Sequence, residues 1–149
     1  MSRCVASFAF ILFITFLGGA VANGQMPPNA RPLWDELFER WTAEDLAGAE
    51  ETANKLVEAF EPVATDFTLG IQMNSALHNR ASLRFNRGDY VGAEADLKAS
   101  VEQARNIAAP PGVPAMAMPQ MMAMANDRIR LSLRGRVNFY LAAGDLERA

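Results

Sequence analysis

Apolar positions along this chain fall into two patterns: one unbroken run at the start, then a series of stripes at helical spacing. Val5 to Leu17 is apolar apart from Ser7 and Thr15. From Pro32 onward the apolar residues recur every three or four positions, which gathers them on one face of a helix. The first stripe is Leu33, Trp34, Leu37, Phe38 and Trp41, in a helix starting near Pro32, a favoured first helical residue. Thr42 with Asp45 three residues later resembles a capping box for the next helix. That helix carries Leu46, Ala49, Ala53, Leu56, Val57 and Phe60, and Pro62 ends it. A third helix is predicted from about Asp66 to Arg87, burying Phe67, Ile71, Met73, Leu77, Ala81 and Phe85. Gly88 stops it, Asp89 caps a fourth with Tyr90, Ala93, Leu97, Val101, Ala104 and Ile107, and Pro110-Pro111 closes that one.

Ala109 to Ala125 interrupts the series with four prolines, five methionines and almost no charge. Ala109 to Met118 reads as a loop. Pro119 then opens a fifth helix reaching Ala143, with Met122, Ala125, Ile129, Leu133, Val137 and Tyr140 expected on its buried side. No stretch alternates with period two over a useful length, so no sheet is predicted and the fold class is all-α.

The opening run has the anatomy of a secretory signal. Arg3 supplies a positive start, Gly18-Gly19 breaks the apolar helix, and Ala20-Val21-Ala22 gives the small-x-small pattern of a peptidase site. Cleavage before Asn23 is expected, with an exported product; an uncleaved anchor is the alternative, since Val5 to Ala22 approaches the length of a bilayer span. The expected organisation is a signal at 1–22, a lead segment at 23–31 and one helical domain at 32–149, with the Pro/Met-rich insert at 109–125. Cys4 is the only cysteine and precedes the apolar run, so the mature chain has no disulfide, no thiolate metal site and no lipid-accepting cysteine. The core has to be held by packing.

Charge divides the chain. Arg31 to Asp66 holds ten acids and three bases, whereas Arg80 to Arg136 holds nine bases and five acids. Setting Arg3 aside takes the formal net charge from -3 to -4, and an acidic domain is a poor nucleic-acid binder.

Three stretches share one frame: WTAEDLAGA (41–49), FNRGDYVGA (85–93) and LAAGDLERA (141–149). Each reads apolar, two residues, Gly or Glu, Asp, aromatic or Leu, two residues, Ala. The pattern suits a tight helical hairpin: the glycine permits the turn, the aspartate caps the following helix, and the alanine lets the helices approach. The residues Leu77, Ala81, Gly88, Asp89, Tyr90, Ala93 and Leu97, with Leu133, Val137, Tyr140, Gly144, Asp145, Leu146 and Ala149 in the third unit, resemble the tetratricopeptide repeat family. The first unit keeps Leu33, Leu37, Leu46 and Ala49 but has Glu44 in place of the glycine. The spacings of 44 and 56 residues between the three frames exceed the family's repeat of about 34. The resemblance implies antiparallel helical hairpins stacked as a short solenoid whose groove binds a protein or peptide partner. Some members clamp a C-terminal carboxylate with lysines, an arginine and asparagines. Here only Asn79 falls in place, while Trp34, Phe38, Leu131 and Gly135 occupy clamp positions. Ala149 falls where the second helix of the third hairpin begins, so the sequence reads as the first part of a longer protein, or as one that another chain completes.

Chemistry is sparse. His78 is the only histidine, flanked by Asn79 and Arg80, and reads as a helix-surface or groove residue. No serine has a base near it in sequence, so no catalytic nucleophile is assigned and no enzyme is expected. Arg80, Arg84 and Arg87 share one helix face, and Arg130 and Arg134 repeat the spacing. Either this strip meets an acidic partner segment or the acidic first hairpin answers it within the molecule. His78, Asn79, Arg80, Arg84, Arg87, Arg134 and Asn138 are the candidate partner-binding residues. Met116, Met118, Met121, Met122 and Met124 raise a second function, Cu(I) handling in an exported protein. The cluster has no histidine or cysteine beside it, and methionine also fills irregular apolar gaps, so no cofactor or metal is assigned.

Overall fold

The structure, a computed structural model, describes residues 26–107 and 114–145. The signal, the first three residues of the lead segment, Pro110-Pro111 and Ala149 lie outside the described residues. Five helices follow in order: α1 (Ala30–Thr42), α2 (Leu46–Phe60), α3 (Phe67–Asn86), α4 (Tyr90–Asn106) and α5 (Met118–Ala143), with one 3-10 turn at Glu61–Val63. No strand occurs among the described residues, and no helix there is long and apolar enough to cross a membrane.

The hairpin turns follow the sequence frame closely. In the first turn Asp45 N–H donates to the Arg40 carbonyl at 2.9 Å and Glu44 N–H to that of Trp41 at 3.0 Å. In the second, Asp89 donates to Arg84 at 2.9 Å and Gly88 to Phe85 at 3.0 Å. In the third, Asp145 donates to Tyr140 at 2.8 Å and Gly144 to Leu141 at 3.2 Å. These are three copies of the Schellman helix ending, which needs one left-handed residue. That residue is Gly88 at φ 86°, Gly144 at φ 76° and, in the first turn, Glu44 at φ 60°. The first two turns each hand over to a capped helix. Asp45 accepts from Gly48 N–H and Asp89 from Gly92 N–H, both at 2.9 Å. A Cβ at Gly48 or Gly92 would collide with the capping carboxylate, so the glycine three residues after each aspartate makes room for the cap. Thr42 does not cap α2: its hydroxyl donates back to the carbonyls of Phe38 and Glu39, and Asp45 alone does the capping. The first helix also begins at Ala30, two residues before the expected Pro32, in the turn that follows Pro27 and Pro28.

Each helix packs on its sequence neighbours, and α3 also touches α5. The larger core joins α1, α2 and α3 through Leu33, Leu37, Ala53, Leu56, Phe60, Met73, Leu77 and Leu83. A smaller one joins α3, α4 and α5 through Ala81, Ala93, Leu97, Phe139 and Tyr140, with Phe85 packed against it. The Phe85, Phe139 and Tyr140 rings meet edge-on at centroid distances of 5.6 and 5.3 Å. Alanines 49, 53, 81 and 93 are buried at the contacts, which lets the helices approach.

The expected inward faces need three corrections. Phe38 on α1 is 47% exposed, and Tyr90 at the start of α4 is 51% exposed. The largest correction is α5. Of its expected buried side only Tyr140 is buried; Ala125 and Ile129 are half-buried, and Met122, Leu133 and Val137 are exposed. The helix docks instead through Ser132, Phe139 and Tyr140, with Gly135 against His78. Its apolar ridge is turned outward.

Candidate binding surface

Three of the candidate arginines serve the interior. Arg80 grips Asp96 of α4 with two parallel bonds, Nε to Oδ2 at 3.0 Å and Nη2 to Oδ1 at 2.6 Å, and reaches Asn54 of α2 at 3.2 Å. Arg84 bridges Asp96 at 3.0 Å and Glu50 of α2 at 3.1 Å. Arg87 pairs with Glu50 as well. The carboxylate of Asp96 is nearly fully buried, and two guanidiniums compensate its lost hydration. The basic strip on α3 therefore staples α2, α3 and α4 together. Of the two readings open at the sequence level, the geometry realises the internal one for these three residues, through Glu50 of the acidic hairpin and through Asp96.

His78 belongs to a second polar seam. Asn74, buried on α3, donates to the Ser100 carbonyl of α4 at 2.7 Å and to Ser132 Oγ of α5 at 3.1 Å. Ser132 is fully buried, and its Oγ also lies 3.1 Å from His78 Nε2. Arg128 of α5 adds a long contact to Ser75 at 3.5 Å. Burial, with the Arg128 charge as a second cause, pushes His78 from 6.5 to about 4, so the ring is neutral near pH 7. A serine hydroxyl beside an imidazole has the parts of an activated nucleophile. Here the hydroxyl is closed to solvent. The pair joins helices. His78, expected on a helix surface or in a groove, is a half-buried seam residue.

The remaining candidates are available. Arg134 and Asn138 on α5 are exposed and Asn79 on α3 is half-buried. Their side chains make no hydrogen bond or ion pair among the described residues. On α1, Trp34 and Trp41 are half-buried beside the exposed Phe38. The repeat residues Gly88, Asp89, Ala93, Gly144 and Asp145 make turns and contacts and offer no ligand chemistry. Between α4 and α5 a shallow cleft of about 510 Å³ is lined by Glu94, Lys98, Arg136 and Tyr140. Its charges are largely matched: Glu94 takes Lys98 at 2.6 Å and the Tyr140 hydroxyl at 2.8 Å, and Arg136 lies 6.0 Å from the Tyr140 ring centre.

Of the methionines, Met116 and Met122 are exposed at 91% and 60%, while Met118, Met121 and Met124 are half-buried along the start of α5. No group of three histidine, cysteine or acidic side chains able to hold a metal occurs among the described residues. Sequence reasoning missed Asn74, Asp96, Ser100 and Ser132. Asn74 stands inside the apolar stripe, three positions after Ile71 and three before Leu77, and that is the sequence signal by which the buried network could have been found. No family model, curated protein or solved structure matches the chain.

Proposed function

We propose that this chain is an exported scaffold of tetratricopeptide type, acting by binding and not by catalysis. Its partner is a protein or peptide segment held along the first helices of the hairpins, α1, α3 and α5. One observation carries this reading. Phe38 is exposed between half-buried Trp34 and Trp41 on α1, while Asn79, Arg134 and Asn138 on α3 and α5 have polar groups without partners among the described residues. Aromatic side chains supply contact area at low entropic cost, and amides and a guanidinium supply hydrogen bonds to a peptide backbone and a carboxylate. With Arg80, Arg84 and Arg87 held by Asp96 and Glu50, Arg134 is the arginine of the candidate set left for an acidic residue of the partner.

Site-specific photo-crosslinking in an exporting host tests the reading. A photoreactive residue at Phe38, Asn79 or Asn138 should give one shared adduct. Val91 of α4, which is 82% exposed, serves as the control and should give none. Equal labelling at Val91, or no adduct at the three positions, would sink the reading. Sequencing the N-terminus of the exported product tests the leader: it should begin at or near Asn23.

A further inference from the structure

Five arginines are half-buried among the described residues: Arg40, Arg80, Arg84, Arg128 and Arg136. Arg40, Arg80 and Arg84 each face a carboxylate, and Arg136 lies against the Tyr140 ring. Arg128 has neither. Its Nη1 reaches the Ser75 hydroxyl at 3.5 Å, while its Nε and Nη2 have no partner among the described residues, and neither is sealed from solvent. Burial pushes the guanidinium below its ordinary value, so it has lost hydration without gaining a counterion. Residues 1–25 and 108–113 hold no acid, so they do not supply one. Glu147 is the one acid outside the described residues. It follows Ala143, the end of α5, which lies about 22 Å along the helix axis from Arg128.

Local geometry steadies this cation. Arg128 stands one turn before Ser132 and two before Gly135, on the side by which α5 docks on α3. Ser75 donates its own proton to the Ile71 carbonyl at 3.1 Å and takes Arg128 with a lone pair. Ser75 also lies one turn before Asn79 on the same face of α3, about 6 Å along the axis. We propose that Arg128, held over α3 by Ser75, takes a carboxylate of the segment bound along α3 and α5, from an acidic side chain or a chain end. This rests on the partner reading above and adds the chemistry of the occupant. A carboxylate offers two oxygens to the open Nε and Nη2, the fork pairing that Arg80 makes with Asp96. One cation beside the neutral His78 ring matches a singly charged group, so a phosphate dianion fits it less well. An extended segment rises about 3.3 Å per residue, which sets the carboxylate about two residues from the one over Asn79.

Acetate at pH 7, against chloride at equal ionic strength, is the first probe. The NMR signals of Ser75, Arg128 and the ring of His78, the chain's one histidine, should shift saturably with acetate and not with chloride. Arg128→Gln should abolish the response. The same variant should raise the His78 midpoint above about 4 and keep it below 6.5, because the charge is gone and the burial persists, which also shows that the variant is folded. The second probe is the photo-crosslink at Asn79. Arg128→Gln should lower its yield about tenfold, the worth of one charged hydrogen bond, and Arg128→Lys should lower it less. Fragmentation of the adduct should find a carboxylate within about three residues of the link, and it tells an internal Asp or Glu from a C-terminus. Acetate acting no differently from chloride overturns the proposal. So does an unmoved His78 midpoint, a yield unchanged by Arg128→Gln, or a mapped segment without a carboxylate. An unchanged yield leaves the partner reading standing, whereas no adduct at Phe38, Asn79 or Asn138 of the parent overturns both.

Discussion

At the scale of single residues, two positions carry most of the local physics. Glu44 sits where the other hairpin turns have glycine, and it takes the same left-handed conformation at φ 60°. A side chain there costs roughly 1–2 kcal/mol. The turn is kept because its two Schellman bonds and the Asp45 cap fix the backbone. Glu44→Gly should therefore raise stability by up to about 1 kcal/mol, partly offset by the greater freedom of glycine in the unfolded chain. Gly88→Ala should lower it by a similar amount, although open space surrounds that position, because the cost lies in the backbone angle. Denaturant midpoints compare the three proteins, and an unchanged midpoint for both variants would contradict this account. His78 is the other position. Its folded value of about 4 lies below the ordinary 6.5, so between these values the unfolded chain binds the proton and the folded one does not. The neutral ring's contribution is complete above about pH 6.5 and is lost as pH falls toward 4, at no more than about 1.4 kcal/mol per pH unit. His78→Gln should flatten the stability profile between pH 7 and 4 relative to the parent. Parallel profiles for the two proteins would show that the ring is not buried as described.

At the scale of helices, the polar staples decide which elements move together. Asp96 ties α4 to α3 through Arg80 and Arg84, and Glu50 ties α2 to α3 through Arg84 and Arg87. Breaking a buried pair is expensive because the surviving charge loses its compensation. Asp96→Ala should cost about 3–5 kcal/mol. Hydrogen exchange should show the loss first in α3 and α4, with α1 less affected. A cost below about 1 kcal/mol, the range of a surface pair, would mean that water reaches this site freely. The hairpin frame was legible at this scale because a Schellman ending and an aspartate cap are written in five consecutive residues. The orientation of α5 was not legible. Its sequence offers two faces, an apolar ridge from Ile129 to Leu141 and a smaller, more polar side with Ser132, Gly135 and Phe139. Periodicity selects the first. Packing selects the second, because Gly135 leaves room for the His78 ring and Ser132 completes the bonds of buried Asn74.

At the scale of the whole molecule, the charge division and the Pro/Met-rich insert acquire separate meanings. The acidic first hairpin answers part of the basic strip through Glu50. The methionines of the insert lead into α5, where Met118, Met121 and Met124 are half-buried and Met116 and Met122 point into solvent. Half-buried methionines at the start of a helix cover irregular apolar surface, a role that needs no metal. The expected result is that the protein takes up no stoichiometric Cu(I) in competition with a chelator. Tight uptake that disappears when Met116, Met118, Met121, Met122 and Met124 are changed to Leu would establish the metal-handling function instead.

Sequence alone determined the features that depend on neighbours along the chain. It placed five helices, the stop at Gly88, the caps at Asp89 and Asp45, and the three turns built on one frame. All of these rest on backbone angles and on hydrogen bonds spanning five residues or fewer. Tertiary structure decided whatever depends on residues far apart. Arg80 meets Asp96 sixteen positions later, Arg84 meets Glu50 thirty-four positions earlier, and His78 meets Ser132 fifty-four positions away. A guanidinium or an imidazole looks the same in sequence whether it serves the interior or a partner. Its role is fixed only when folding brings a carboxylate or a hydroxyl to it out of water, since a buried polar group without a partner costs more than the bond itself contributes. For that reason the candidate residues narrowed to Asn79, Arg134 and Asn138, and Phe38 joined them as an exposed aromatic, only once the helices were in place.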